Sequence, residues 1–170
     1  MEAILIDKEI LKKTISGSSL EILLEKGLLK IKKVQKYRLN YGTNYNFVKP
    51  TLTEEQQIAV DKISAYLDKE KTFLIHGVTG SGKTEIYFNL IEKVLKSKKT
   101  TLVLVPEITL TTQIVNRFYE RFGANVAIFH SALSEGEKYD EYLKILRGEA
   151  SIVVGARSAI FVPLKNLGII

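Results

Sequence analysis

HGVTGSGKTEIY, residues 76–87, is the stretch whose reading decides the fold. Within it Gly77, Val78, Thr79, Gly80, Ser81, Gly82, Lys83 and Thr84 match G-x-x-x-x-G-K-T. The chemistry needs these residue types at this spacing. Glycines at 77, 80 and 82 let the backbone curl so that successive N–H groups face one concavity, a cradle for phosphate oxygens. A helix starting at the end of the loop adds the positive end of its dipole. Lys83 then reaches the β- and γ-phosphates of a nucleotide, and the Thr84 hydroxyl ligates Mg²⁺. The flanks have the order this requires: KTFLIH (71–76) predicts a short strand and EIYFNLIEKVLKS (85–97) a helix. Lys83 and Thr84 are therefore the candidate catalytic residues, and Thr84 the candidate metal ligand.

Outward from the loop the same alternation continues. Upstream, Thr53 caps a predicted helix EEQQIAVDKISAYLDKE, with acids in its first turn. Downstream, TTLVLVP reads as a buried strand, ITLTTQIVNRFYERFG as a helix and NVAIFH as a strand. SEGEKYDEYLKILRG then reads as a helix, SIVVG as a strand, and LGII (167–170) as the start of another. Strands alternating with crossover helices predict an α/β fold with a parallel sheet covered on both faces, the RecA-like P-loop NTPase form, over residues 51–170.

The first fifty residues have a different character. They hold ten Lys/Arg against five Asp/Glu, whereas residues 51–170 hold fifteen against fourteen, so +5 of the net charge of +6 sits in the first third. A basic surface there attracts nucleic-acid backbones or is a solvated lysine-rich face. Residues 1–40 read as helix, turn, helix and a basic strand, with Ser18 or Ser19 capping the second helix and Gly27 ending it. That order fits a small winged-helix-like domain or a packing module. Residues 41–50 read as a linker ending at Pro50. Tyr37, Tyr41, Tyr45 and Phe47 around it either stack on bases or anchor it to the following domain.

The absence of cysteine from the sequence excludes disulfides, thiolate catalysis and cysteine zinc sites within these residues. No apolar run is long enough for a membrane span and no signal peptide opens the chain, so the expectation is a cytoplasmic protein without a membrane partner.

Four stretches, LTEEQ, HGVTGSGKTEIY, LVPEITLTTQ and VVGARSAIF, resemble the ordered motifs of superfamily 2 helicases. With FHSALSEGEKYDEY between them, their wording is similar to the primosomal replication-restart helicase family. The resemblance covers residues 52–170 motif by motif, and residues 1–40 more loosely. It implies an ATP-dependent 3′-to-5′ DNA helicase that acts at stalled or recombined forks. Carried over by position, Gln56 reads the adenine edge and residues 77–84 hold the phosphates and metal. Thr109, Thr111, Arg157 and Ser158 contact DNA; a capping role for the threonines, and pairing of Arg157 with an acid such as Glu107, stay open. Implied cofactors are ATP and Mg²⁺, with zinc in the family bound outside this chain. Implied partners are branched or single-stranded DNA, the primosome and single-strand-binding proteins; the oligomeric state stays open, with a monomer the expectation. The resemblance further implies an interior segment of a longer protein, with an Asp-Glu pair expected just after Ile170. Such a segment would bind nucleotide and not hydrolyse it. Other readings are a nucleotide-dependent DNA-binding or switch module, and a motor subunit of another superfamily 2 translocase.

Overall fold

The computed structural model describes residue 6 and residues 8–31, 37–39 and 48–170. The chain divides into two compact units, Met1–Lys36 and Tyr37–Ile170.

The first unit contains helices α1 (Lys8–Thr14) and α2 (Gly17–Glu25). The cap of α2 is Ser16, not Ser18 or Ser19: Ser16 is extended, and its hydroxyl accepts the Ser19 N–H at 3.3 Å. Ser18 and Ser19 already lie inside the helix, where their backbone no longer has the extended geometry a cap needs. Paired C-terminal bonds close α2, from Gly27 N–H to Leu24 O and from Leu28 N–H to Leu23 O, both 3.0 Å. Leu20 is buried on the face the spacing marks. Residues 32–36, most of the expected basic strand, lie outside the described residues.

The second unit is built on four parallel strands, β1 (Thr100–Leu104), β2 (Val126–Phe129), β3 (Ile152–Gly155) and β4 (Leu167–Ile169), in the order β2-β3-β1-β4. Its helices are α3 (Glu54–Ser64), α4 (Lys83–Lys96), α5 (Thr112–Phe122) and α6 (Glu135–Leu146). The two-residue period of the strands sorts the core. Val126, Ile128, Ile152 and Val154 face Phe88 and Ile91 of α4 and Val115, Phe118 and Tyr119 of α5. Leu102, Ala127 and Val153 point the other way, toward Ile145 and Ala159. A third cluster, Val60 and Ile63 with Ile86 and Leu90, packs α3 on α4. This is the parallel α/β sheet that the alternation predicts.

Two elements depart from the expectation. Segment 71–76 keeps the burial alternation of a strand, with Phe73 and Ile75 half-buried and Leu74 91% exposed. It pairs with no strand among the described residues, although Phe73 and Ile75 pack on the same apolar cluster as Ile169 of β4. The helix expected from Ile108 begins only at Thr112: Glu107–Thr109 is a 3₁₀ turn, and Thr111 is extended.

Residues 37–39 belong with the second unit. The Arg38 N–H donates to Asp140 Oδ2 at 3.0 Å, and its guanidinium lies 2.8 Å from the same oxygen and donates to Gly136 O. Tyr37 donates its hydroxyl to the Glu149 carboxylate. Tyr37 is thus an anchor; Tyr41, Tyr45 and Phe47 lie outside the described residues.

Candidate nucleotide site and the carboxyl edge of the sheet

The loop 77–84 takes its shape from local backbone geometry. Gly80 and Gly82 have φ of +83° and +76°, a region that side-chain-bearing residues rarely adopt. Ser81 N–H closes back on Val78 O at 3.2 Å. Gly82 is the N-cap of α4 and offers no side chain to it, so first-turn N–H groups of this 14-residue helix stay available to an anion. Lys83 Nζ is folded into the loop mouth, donating to Gly77 O at 2.7 Å and Val78 O at 2.8 Å. A phosphate entering the cradle takes over those ammonium protons. The residues therefore fit a nucleotide polyphosphate: a glycine-shaped cradle, a helix N-terminus, and a lysine already at its mouth.

Gln56 meets this loop from behind. Its amide oxygen accepts the Thr53 N–H at 3.0 Å, completing a capping box on α3, and its amide nitrogen donates to Ser81 O at 3.1 Å. Both ends of the amide are thus engaged, one by each element. A Cβ on Gly82 would collide with the same amide nitrogen.

Thr84 lines a mainly apolar cavity of about 410 Å³ between α4, β1, β4 and α5. Arg117 is the charged residue in its wall, and no acid lines it. Among the described residues no cluster of three metal-ligating side chains occurs.

Thr109, Thr111, Arg157 and Ser158 all fall in turns at the carboxyl edge of the sheet. Thr109 Oγ1 donates to Pro106 O at 2.9 Å within its 3₁₀ turn. Thr111 holds the N-cap position of α5 but makes no side-chain cap bond. Arg157 and Ser158 are exposed at the start of a second 3₁₀ turn, Arg157–Phe161, anchored by the buried Ala159. Glu107 ties its own turn to the loop after β2 by accepting the Ser131 N–H at 3.1 Å. The hydrogen bonds from Ser131, with smaller contributions from His130 and Arg157, hold its carboxyl below the ordinary range. Arg157 thus acts on Glu107 through space while Ser131 holds the carboxylate.

Sequence reasoning passed over the charges buried between elements. Arg121 of α5 has a side chain only 2% exposed, with Nε 2.6 Å from Glu92 Oε1 and a terminal nitrogen 3.7 Å from Glu85 Oε2. Arg117 lies 3.7 Å from the other oxygen of Glu85, and Lys49 is 2.5 Å from Glu92. Burial works against ionising Glu92, and Lys49 with Arg121 outweighs it, leaving its carboxyl below its usual value. On the opposite face, Glu141 of α6 is fully buried. It accepts the Ile128 N–H at 2.8 Å and pairs with Lys144. Strand β2 is an edge, so Ile128 has no strand partner on its outer side and Glu141 supplies the acceptor. Burial pushes the Glu141 carboxyl up despite Lys144. The one visible signal for the α5 charges is the spacing of arginines four apart in NRFYERF, which puts Arg117 and Arg121 on one side of the helix.

Compared with known proteins, residues 49–167 match the family described as type III restriction enzyme, res subunit. The chain belongs to that family. It carries the helicase-family α/β domain that its motif order implies. It is also 54% identical over 167 residues to the replication restart protein PriA of Bacillus subtilis, covering 95% of this chain and 21% of that protein. Identity is 46% to the PriA of Synechocystis, over 91% of this chain and 19% of that protein. To the PriA of Chlamydia muridarum it is 42%, over 96% and 22%. The chain therefore spans about a fifth of the length of these relatives, and its likeness to the replication-restart helicases holds over nearly all of its own length. Among the described residues, no helix is long and apolar enough to cross a membrane.

Proposed function

We propose that this chain is the nucleotide-binding part of an ATP-dependent 3′-to-5′ DNA helicase that restarts replication at stalled or recombined forks. The observation that carries the reading is the loop 77–84, with Lys83 at its mouth and the uncapped first turn of α4 behind it. Residues 77–84 hold the phosphates, Thr84 ligates Mg²⁺, and Gln56 stands beside the loop to meet the adenine. When bound, the metal neutralises charge on the phosphates. Thr109, Thr111, Arg157 and Ser158 form a track for the phosphates of single-stranded or branched DNA, where α5's helix start adds N–H donors. Primosome and single-strand-binding proteins are the partners, in the cytoplasm. The expected winged-helix-like domain of residues 1–40 then ends at the boundary of the first unit, Lys36, and residues 41–50 act as part of its linker to the helicase lobe.

The chain binds nucleotide without turning it over. Phosphoryl transfer requires an oriented water and full charge neutralisation together with the cradle, and residues 77–84 themselves hold no carboxylate to orient that water. Titration calorimetry with Mg²⁺-ATP tests both parts. Binding that disappears in Lys83→Ala, without steady-state hydrolysis, is the expected result. Equal heats in both proteins would refute the site, and hydrolysis abolished by Lys83→Ala would refute the inactivity.

A further inference from the structure

The cluster Glu85, Glu92, Arg117 and Arg121 has no part in the phosphate cradle, yet it joins that cradle to the carboxyl edge of the sheet. Glu85 lies in the first turn of α4, next in sequence to Thr84 and two residues after Lys83. Arg117 and Arg121 lie on α5, which starts at the Thr111 cap; at 1.5 Å per residue Arg117 is about 8 Å along the helix from Thr112. Both guanidinium groups also sit against the Phe88 ring, at 5.8 and 5.9 Å from its centre.

The two ends of the cluster differ. At Glu92 the contact is a short hydrogen bond of 2.6 Å, and Lys49 closes on the same carboxylate. At Glu85 both guanidiniums stand off at 3.7 Å, and the buried Oε2 has no hydrogen bond. Buried ion pairs contribute little net stability compared with apolar packing, so orientation is the better account of a charged contact kept here. The tight end fixes α5 to the body of α4, and the loose end leaves room for the first turn to move.

We propose that Glu85, held between Arg117 and Arg121, is a positioning residue that links the DNA-tracking start of α5 to the first turn of α4. Nucleotide and single-stranded DNA then bind this chain with linked affinities. The inference rests on the nucleotide and DNA sites proposed above. The test uses the 170-residue chain, a fluorescent ADP analogue with Mg²⁺, and oligothymidylate. In the wild type, saturating DNA shifts the nucleotide Kd by about 5-fold or more, and nucleotide shifts the DNA Kd by the same factor. In Glu85→Gln, which keeps shape and removes charge, the shift falls below about 2-fold while each ligand still binds. Glu92→Gln lowers stability and keeps the linkage. Arg117→Gln, at a half-exposed position, reduces the linkage and serves if Glu85→Gln does not fold. Linkage retained in Glu85→Gln, or lost equally in Glu92→Gln, would overturn the inference, as would nucleotide binding that DNA leaves unchanged. A wild type that binds no nucleotide would defeat the proposed function first, which separates the two failures.

Discussion

Replacing Gly82 by alanine tests how the phosphate loop is held. Gly82 has φ +76°, and an alanine in that left-handed conformation costs about 1–2 kcal/mol. The added methyl also meets the Gln56 amide nitrogen. That amide is the end of a flexible side chain, so it swings aside and gives up its bonds to Ser81 O and the Thr53 N–H. Two exposed hydrogen bonds add about 1–2 kcal/mol. The loss expected for Gly82→Ala is therefore about 2–4 kcal/mol in total. Gly80 supplies the control: its φ is +83° and a Cβ there meets nothing within 4 Å, so Gly80→Ala carries the strain alone, about 1–2 kcal/mol. Urea titration followed by circular dichroism reads both values as shifts in midpoint. A double-mutant cycle isolates the contact, because with Gln56→Ala already present Gly82→Ala falls to the cost of Gly80→Ala. Equal costs for the two glycine variants in the wild-type background would refute the claim that Gln56 braces the loop.

Arg38→Ala exposes the buried Asp140 carboxylate and costs about 1–3 kcal/mol, below the usual loss for a buried pair because the guanidinium is itself half exposed. The same contact sets a pH dependence. Burial raises the Asp140 pKa, and the Arg38 N–H and guanidinium outweigh it, so the folded value lies below the unfolded one. Its stabilisation is therefore present above the unfolded pKa of about 3.9 and is lost as pH falls through the folded value. Urea midpoints between neutral pH and strong acid should show that loss in the wild type and a flatter profile in Arg38→Ala. Glu141→Ala leaves the Ile128 N–H and the Lys144 ammonium without their acceptor and should cost about 3–5 kcal/mol; a midpoint shift of under about 1 kcal/mol would show that water replaces the carboxylate.

The parts legible in sequence are those whose geometry is local. The loop declares itself because Gly80 and Gly82 are needed by their own backbone angles, and α3 because Thr53 and Gln56 form their capping box within one turn. β2 and β3 declare themselves because both faces are buried, which writes a continuous apolar run. Segment 71–76 has the same local signature as a strand, and its status turns on pairing, a non-local property its composition does not carry. The start of α5 was misplaced by four residues because Thr109 and Thr111 both suit a helix start; the extended backbone at Thr111 decides between them. The brace that Gln56 makes to the loop was not legible, because its bond to Ser81 spans 25 positions.

The charged ties form a separate class. Arg121 reaches Glu92 across 29 positions, and Arg38 reaches Asp140 across 102. Each joins elements that apolar packing alone would leave free to slide, because a hydrophobic contact is not directional and an ion pair is. Two of the apolar clusters lie between helices and strands, and the third packs α3 on α4. The buried charges join α4 to α5, residues 37–39 to α6, and α6 to the outer side of β2 through Glu141. Substituting an interior valine of β2 or β3 should therefore lower stability and leave the linkage between nucleotide and DNA affinities alone, whereas Glu85→Gln should remove that linkage while each ligand still binds. That outcome would separate the role of the α4–α5 ion pairs from that of the apolar core.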